Sequence, residues 1–272
     1  MTLLIHSMSE FSDLILHGLH IAGARNIAEV GAEFGGMSQQ LAAYARALGG
    51  SLTSIDPCPK PEFVAWASQT PEVRHIAEPS LDAMPGLKDV DAWVIDGDHN
   101  YYTVYNELRI ADELSRRDGK HFLAILHDVS WPCARRDFYY APERIPAEHR
   151  HAYSYDAGVV PGDAGWRENR GFRGGGHFAW ALQEGGPRNG VLTAVEDFRA
   201  EAQTDARPLA WAHVPAVFGL GMLFDSSAPW APALAEMIVP WHNNKLLAAL
   251  ETNRLQNYLQ VIEYQDRATA AA

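Results

Sequence analysis

Two short stretches of this 272-residue chain bring together groups able to do acid–base or cation chemistry. In "WVIDGDHNYY" (93–102) an apolar run ends in Asp96, Asp98 and His99, and "HFLAILHD" (121–128) closes on His127 and Asp128. Carboxylates and imidazoles bind divalent cations, and histidine titrates close enough to neutrality to carry a proton. Both stretches read as strands, and neighbouring strands of a parallel sheet lie only ~4.8 Å apart. Two such ends side by side aim their side chains into one pocket. Asp96, His127 and Asp128 are therefore candidate ligands of a divalent metal, which would lower the pKa of a substrate hydroxyl. Without a metal, His99 or His127 is the candidate general base. The plainer reading is a turn, because Asp-Gly-Asp is common turn material and a histidine after a strand is often only hydrogen-bonded.

The elements that must position these residues alternate through the first half. Strands are expected at 26–31, 51–56, 72–77, 90–96 and 121–128, with helical spacing at 37–50, 62–69 and 102–119. This alternation implies βαβ units and a parallel sheet covered by helices on both faces. Residues 131–186 break the pattern, being rich in Gly, Pro, Arg and aromatics without sustained periodicity. A helix follows at 189–202, then two strands within 209–225 close enough to pair as an antiparallel hairpin, then a long amphipathic helix over 245–267. The expectation is a single α/β domain over 1–272, with a Rossmann-like, doubly wound, mostly parallel seven-stranded sheet and an antiparallel last strand. The inserted loop region (131–186) and the C-terminal helix (243–267) complete it.

After the first strand, "AEVGAEFGG" places Glu29, Gly31, Gly35 and Gly36 where an open parallel sheet binds ligands. Glycines there let a backbone approach a nucleotide, and the next helix presents its N-terminus. An acid stands in place of the first glycine of a dinucleotide fingerprint; it would repel a pyrophosphate and suit a ligand with an ammonium group. Asp56, ending the second strand, is placed to accept hydrogen bonds from ribose hydroxyls. The alternative is a glycine turn with a helix-capping Asp.

These features, E-x-G-x-x-x-G after strand one, an acid ending strand two and an Asp ending strand four, resemble the class I S-adenosylmethionine-dependent methyltransferases. The late hairpin is similar to that family's sixth and seventh strands. The resemblance covers residues 20–130 and 187–225, leaving the insert and last helix unmatched. It implies that Glu29 faces the methionine amino group, that Gly31, Phe34 and Gly35 line the cofactor, that Asp56 holds the ribose, and that Ser80 lies near the adenine. The acid–imidazole cluster is similar to that of bacterial metal-dependent O-methyltransferases of the macrocin, novobiocin and cephalosporin-tailoring type. That resemblance implies Asp96 as a metal ligand and Asp98 as a base. It also implies a sugar or natural-product hydroxyl as acceptor. His127-Asp128 stands where two carboxyl or carboxamide residues are usual, and an imidazole suits Zn, Mn or Fe better than Mg.

The net charge of −12 argues against nucleic acid or an anionic membrane as the main partner. The start "MTLLIHSMSEF" lacks the basic residues and apolar length of a signal peptide, and no run approaches the ~20 apolar residues of a membrane span. Cys58 and Cys133 lack metal-type spacing and read as reduced thiols of a cytoplasmic protein.

Residues 131–180 hold seven Arg against six Asp or Glu, together with ten aromatics, a composition suited to a small polar, ring-bearing or anionic substrate. Packing into a secondary core is the alternative. "RGFRGGGHFAW" (170–180) suggests a mobile loop carrying His177 over the pocket as a further catalytic candidate, against a surface role. The terminal helix packs on its own domain by default, with homo-oligomerisation as the alternative. Two rival functions are an NAD(P)-dependent oxidoreductase in the same crevice and a non-catalytic cofactor-binding module.

Overall fold

A computed structural model describes residues 4–270. In chain order the first elements are α1 (Ser12–Ala22), β1 (Asn26–Val30), α2 (Gly36–Ala47), β2 (Ser51–Ile55), α3 (Pro61–Ala67) and β3 (Val73–Ile76). Then come the short α4 (Ser80–Ala83), β4 (Ala92–Ile95), α5 (Tyr101–Arg117) and β5 (Leu123–His127). The insert supplies β6 (Phe138–Tyr139), β7 (Tyr153–Ser154), β8 (Ala157–Val159), β9 (Arg167–Glu168), β10 (Phe172–Arg173) and β11 (Ala179–Ala181). The chain closes with α6 (Val191–Thr204), β12 (Leu209–Val214), β13 (Leu220–Asp225), α7 (Ala231–Ile238) and α8 (Lys245–Ala270).

Seven strands form one sheet in the order β12-β13-β5-β4-β1-β2-β3. Its five central and edge strands from β1 to β5 are parallel, and β13 runs antiparallel to both β5 and β12. The two-residue side-chain period of a strand explains why helices cover both faces. Along β4, Trp93 and Ile95 join the core under α5 and α6, whereas Ala92 and Val94 join the core under α1, α2 and α7. A strand buried on both faces reads as an unbroken apolar run, which is how β4 and β5 appear in the sequence.

The expected doubly wound sheet, late hairpin and long last helix are all present. Helices α1 and α7 were not expected. In α1, Leu14, Ile15 and Leu16 are consecutive and Gly18 interrupts the pattern, so no narrow apolar stripe marks it. Gly18 is there for packing: a Cβ on it would sit 3.3 Å from Leu234 and 3.5 Å from Met222.

The insert also differs from the expected loop. It folds into two three-stranded sheets, β6-β11-β7 and β10-β8-β9, built from strands of two or three residues that are too short to show any period. Its arginines largely serve the fold. Arg136 is buried and donates to the carbonyls of Ala181, Ala164 and Gly165. Arg135 pairs with Glu196, and Arg173 with Asp266 of α8. Buried Asp137 ties the insert to the sheet layer by accepting from the Tyr101 and Gly190 amides, both at 2.7 Å, and from the Tyr139 hydroxyl at 2.8 Å.

Candidate active site at the carboxyl edge

The chain order reverses between β1 and β4, so the crevice at their carboxyl ends is the topological switch point of the sheet. Two glycine turns pack against each other there. Gly31 has φ +88°, and a Cβ on it would lie 2.2 Å from the Asp96 carbonyl oxygen. Only glycine fits, because a side chain would be strained by the backbone and blocked by it as well.

Asp56 fixes the rest of the first loop. One carboxylate oxygen accepts from the Ala32 and Glu33 amides at 2.9 and 3.0 Å, and the other from the Cys58 amide at 2.8 Å. Gly35, at φ +82°, caps α2, while Phe34 stands exposed with the Lys60 ammonium 5.5 Å from its ring centre. These groups lie together at the switch point.

Glu29 and Ser80 sit deeper than the sequence suggests. The strand period turns Glu29 toward α2, where one carboxylate oxygen accepts from Ser38 and Ser54 hydroxyls at 2.7 and 2.6 Å. Glu29 is 1% exposed and braces the loop from behind, instead of facing an open pocket as expected. Ser80 is likewise buried and donates to Glu107 at 2.5 Å. Glu107, missed in the sequence, left one signal there: an acid on the buried side of α5, between Val104, Leu108 and Ala111.

Burial pushes the Glu29 carboxyl up to about 7 and the Glu107 carboxyl up to about 8; their serine hydroxyl donors offset part of this, while Asp96 and Asp56 near Glu29 and Asp98 near Glu107 add to it. Both therefore keep a proton that the unfolded chain releases near 4.5. With the native state binding more protons, stability falls as pH rises from about 4.5 to about 8. The expected contribution of Glu29 is roughly 3 kcal/mol across its part of that window. Denaturant unfolding at several pH values, comparing wild type with Glu29→Gln, should show a flatter pH dependence for the variant. Parallel curves would contradict the assignment.

At the ends of β4 and β5, four side chains converge. His127 Nδ1 lies 3.2 Å from Asp96 Oδ1 and 3.4 Å from Asp128 Oδ2. His99 Nε2 lies 2.8 Å from Asp128 Oδ2 and 3.4 Å from Asp96 Oδ1. The expected trio of Asp96, His127 and Asp128 is thus brought together, and His99, expected as a base, joins it. Asp96, His99 and Asp128 offer one ligand atom each within 4.8 Å of one another.

Burial alone would hold the His99 imidazole down, but the Asp128 and Asp96 carboxylates outweigh it and raise its pKa to about 10. Burial opposes the charge of His127 too, and Asp96 and Asp128 push it well up. The two carboxylates move the other way: against burial, His99 and His127 hold Asp128 low, and His127 and His99 hold Asp96 low.

His127 Nε2 donates to the Val217 carbonyl at 2.8 Å, which turns Nδ1 toward the carboxylates. His99 Nδ1 is buried with no hydrogen-bond partner among the described residues. Asp98 is turned away: it accepts from the Thr103 hydroxyl at 3.2 Å, at the start of α5, and burial pushes its pKa up. His177 sits exposed at the end of a tight turn, its amide bonded to Gly174 O at 3.1 Å, and makes no contact with the cluster among the described residues.

An aromatic wall borders the cluster. The Phe138 ring lies 5.1 Å and the half-exposed Tyr140 ring 5.9 Å from the His99 ring, and Phe178 packs on Phe138 at 4.2 Å with the rings tilted by 33°. Of the insert's expected substrate-facing groups, this wall is what reaches the site.

Residues 28–129, which span the glycine loop, Asp56, Ser80 and the whole cluster, match the family described as "Methyltransferase domain". The sheet that continues from this segment, with its antiparallel β13 between β5 and β12, completes a Rossmann-like, mostly parallel seven-stranded fold. No curated protein matches the chain.

Among solved structures, the chain resembles the O-methyltransferase from Bacillus cereus in complex with SAH, at 15% identity and a TM-score of 0.48, covering 80% of this chain and 81% of the other. It also resembles TomG from Streptomyces achromogenes, an O-methyltransferase involved in tomaymycin synthesis and solved with SAM. Identity there is 15% and the TM-score 0.47, with 82% of each chain covered. SAH-bound PaMTH1 of Podospora anserina is similar at 12% identity and a TM-score of 0.45, covering 78% of this chain and 76% of that one. Among the described residues, no helix is long and apolar enough to cross a membrane.

Proposed function

We propose that this protein transfers the methyl group of S-adenosylmethionine to an oxygen of a small polar metabolite, with a divalent cation at the acid–imidazole cluster. One observation carries the reading: the glycine loop and the four-residue cluster share one carboxyl edge, inside the segment that matches a methyltransferase domain. Gly31 and Gly35 leave room for the cofactor backbone-close, Phe34 offers an apolar face beside it, and Asp56 holds the loop in shape. Ser80 and Glu107 lie under the adenine end, and Glu29 supports the methionine end from below.

The donor set fits a cation. Two carboxylates and two imidazoles converge, and the far nitrogen of His127 is already tied to a carbonyl, as ligating histidines usually are. Asp96, Asp128, His127 and His99 would hold it, and imidazole donors favour Mn, Fe or Zn over Mg. When bound, a cation supplies Lewis acidity that lowers the pKa of an acceptor hydroxyl. The chain's own groups do the rest. The Phe138–Tyr140 wall orients a planar or ring-bearing acceptor for in-line attack. His99 would ligate through Nε2, leaving the remaining ring proton on its buried Nδ1, and Asp98 keeps α5 and the turn in position.

The test is release of S-adenosylhomocysteine in the presence of a panel of hydroxylated acceptors, before and after chelation. Activity that falls at least about tenfold on chelation and returns with Mn²⁺ is expected. Activity untouched by a chelator would remove the cation from the reading.

A further inference from the structure

The C-terminal helix lies outside the matched segment, yet one of its side chains reaches toward the cluster through a short chain of hydrogen bonds. Glu251 on α8 is buried, and its two carboxylate oxygens accept from consecutive backbone amides: Val217 N on Oε2 and Phe218 N on Oε1, each at 3.0 Å. Arg254, one turn on, clamps the same carboxylate from the other side, Nε to Oε2 at 2.7 Å and Nη2 to Oε1 at 2.6 Å. Its guanidinium also lies 4.8 Å from the centre of the Phe218 ring.

The backbone that Glu251 grips is unusual. Val217 and Phe218 have φ +44° and +64°, followed by Gly219 at +94°. A branched or bulky residue rarely adopts the left-handed region, and two in succession need something to hold them there. Paired charge-assisted hydrogen bonds to both amides provide that hold. The purpose of the conformation is visible in the carbonyls. Val217 O accepts from His127 Nε2 at 2.8 Å, and Phe218 O accepts from the Ser130 amide at 2.7 Å. The turn therefore grips His127 and Ser130, which bracket Asp128 and Val129.

We propose that Glu251 is a positioning residue for the acid–imidazole cluster, holding the Val217–Phe218 turn so that the Val217 carbonyl fixes the ring of His127 with Nδ1 toward Asp96 and Asp128. This rests on the cluster being the cation site proposed above. It gives the last helix a part in the chemistry although none of its described residues pairs with the cluster. Outer groups that orient a ligating histidine change cation affinity by about 10–100-fold when removed.

The test compares wild type, Glu251→Gln and Asp266→Asn. The last of these breaks the ion pair that ties α8 to Arg173 elsewhere, and so controls for a loosened helix. Two measurements are made on the full-length metal-free protein: the His127 Nε2–H resonance by NMR, and Mn²⁺ affinity by calorimetry. The proposal expects a slowly exchanging Nε2–H in wild type and Asp266→Asn that is lost in Glu251→Gln, with Mn²⁺ bound at least about tenfold more weakly by that variant alone.

A retained Nε2–H in Glu251→Gln, or a lost one with unchanged Mn²⁺ affinity, overturns it, as does an equal effect of Asp266→Asn. If Glu251→Gln does not fold, Val217→Gly serves instead. A glycine there adopts the left-handed turn without help, so adding Glu251→Gln to it should give a folded protein that retains the Nε2–H signal. A double variant that loses the signal as fully as it can be lost contradicts the mechanism. Wild type that binds no Mn²⁺ would sink the cation reading, and the Nε2–H comparison then decides the positioning role by itself.

Discussion

Gly31→Ala is expected to destabilise the protein by about 4 kcal/mol and to abolish saturable S-adenosylmethionine binding. The methyl group would be placed 2.2 Å from the Asp96 carbonyl oxygen and 2.6 Å from the Gly97 Cα, both backbone atoms that cannot rotate away. Relief requires the β1 and β4 turns to separate, which opens the switch point where the cofactor is proposed to lie. Because Asp96 belongs to one of those turns, the cluster should be disturbed together with the cofactor loop. Denaturant unfolding reads the first effect and calorimetry the second. A folded Gly31→Ala variant with wild-type binding would show that the cofactor lies elsewhere. The larger Gly31→Arg should leave no binding under any condition.

Asp128→Asn is expected to lower turnover by about 10²–10³-fold while S-adenosylmethionine affinity changes by less than about threefold. Like Asp96, Asp128 approaches both imidazoles, and it makes the shortest contact of the cluster, 2.8 Å to His99, with His127 at 3.4 Å. It stands at φ +57°, a conformation that asparagine tolerates well, so the substitution removes the charge and little else. The cofactor loop, in the turns that follow β1 and β2, is held by Asp56, whereas Asp128 pairs with His99 and His127, which is why binding and turnover should separate. S-adenosylhomocysteine release measures the first and calorimetry the second. Turnover within about tenfold of wild type would leave the cluster without a role in the transfer step.

Much of this was legible in the sequence because the relevant periods are long enough to see. Strands β4 and β5 are buried on both faces, so their apolar runs end abruptly in the acids and imidazoles that form the cluster. His127 was readable as a cluster member; the carbonyl that orients it, Val217 O, was not, since a backbone acceptor 90 positions away leaves no residue-type signal. Glu251 looked like an ordinary polar position on an amphipathic helix for the same reason.

Glu29 shows a different limit. Its place before the glycine turn was evident, but the two-residue strand period directs it under α2, toward Ser38 and Ser54. In the insert, strands of two or three residues carry no period, and the folded role of Arg136 depends on carbonyls spread over residues 163–181.

The most direct test of the central claim is a calorimetric titration of the wild-type protein with S-adenosylmethionine. Saturable, stoichiometric binding that Gly31→Arg removes and Asp128→Asn retains is the predicted result. Absence of saturable binding to the folded wild-type protein would contradict the assignment of the β1–β4 switch point as a methyl-donor site.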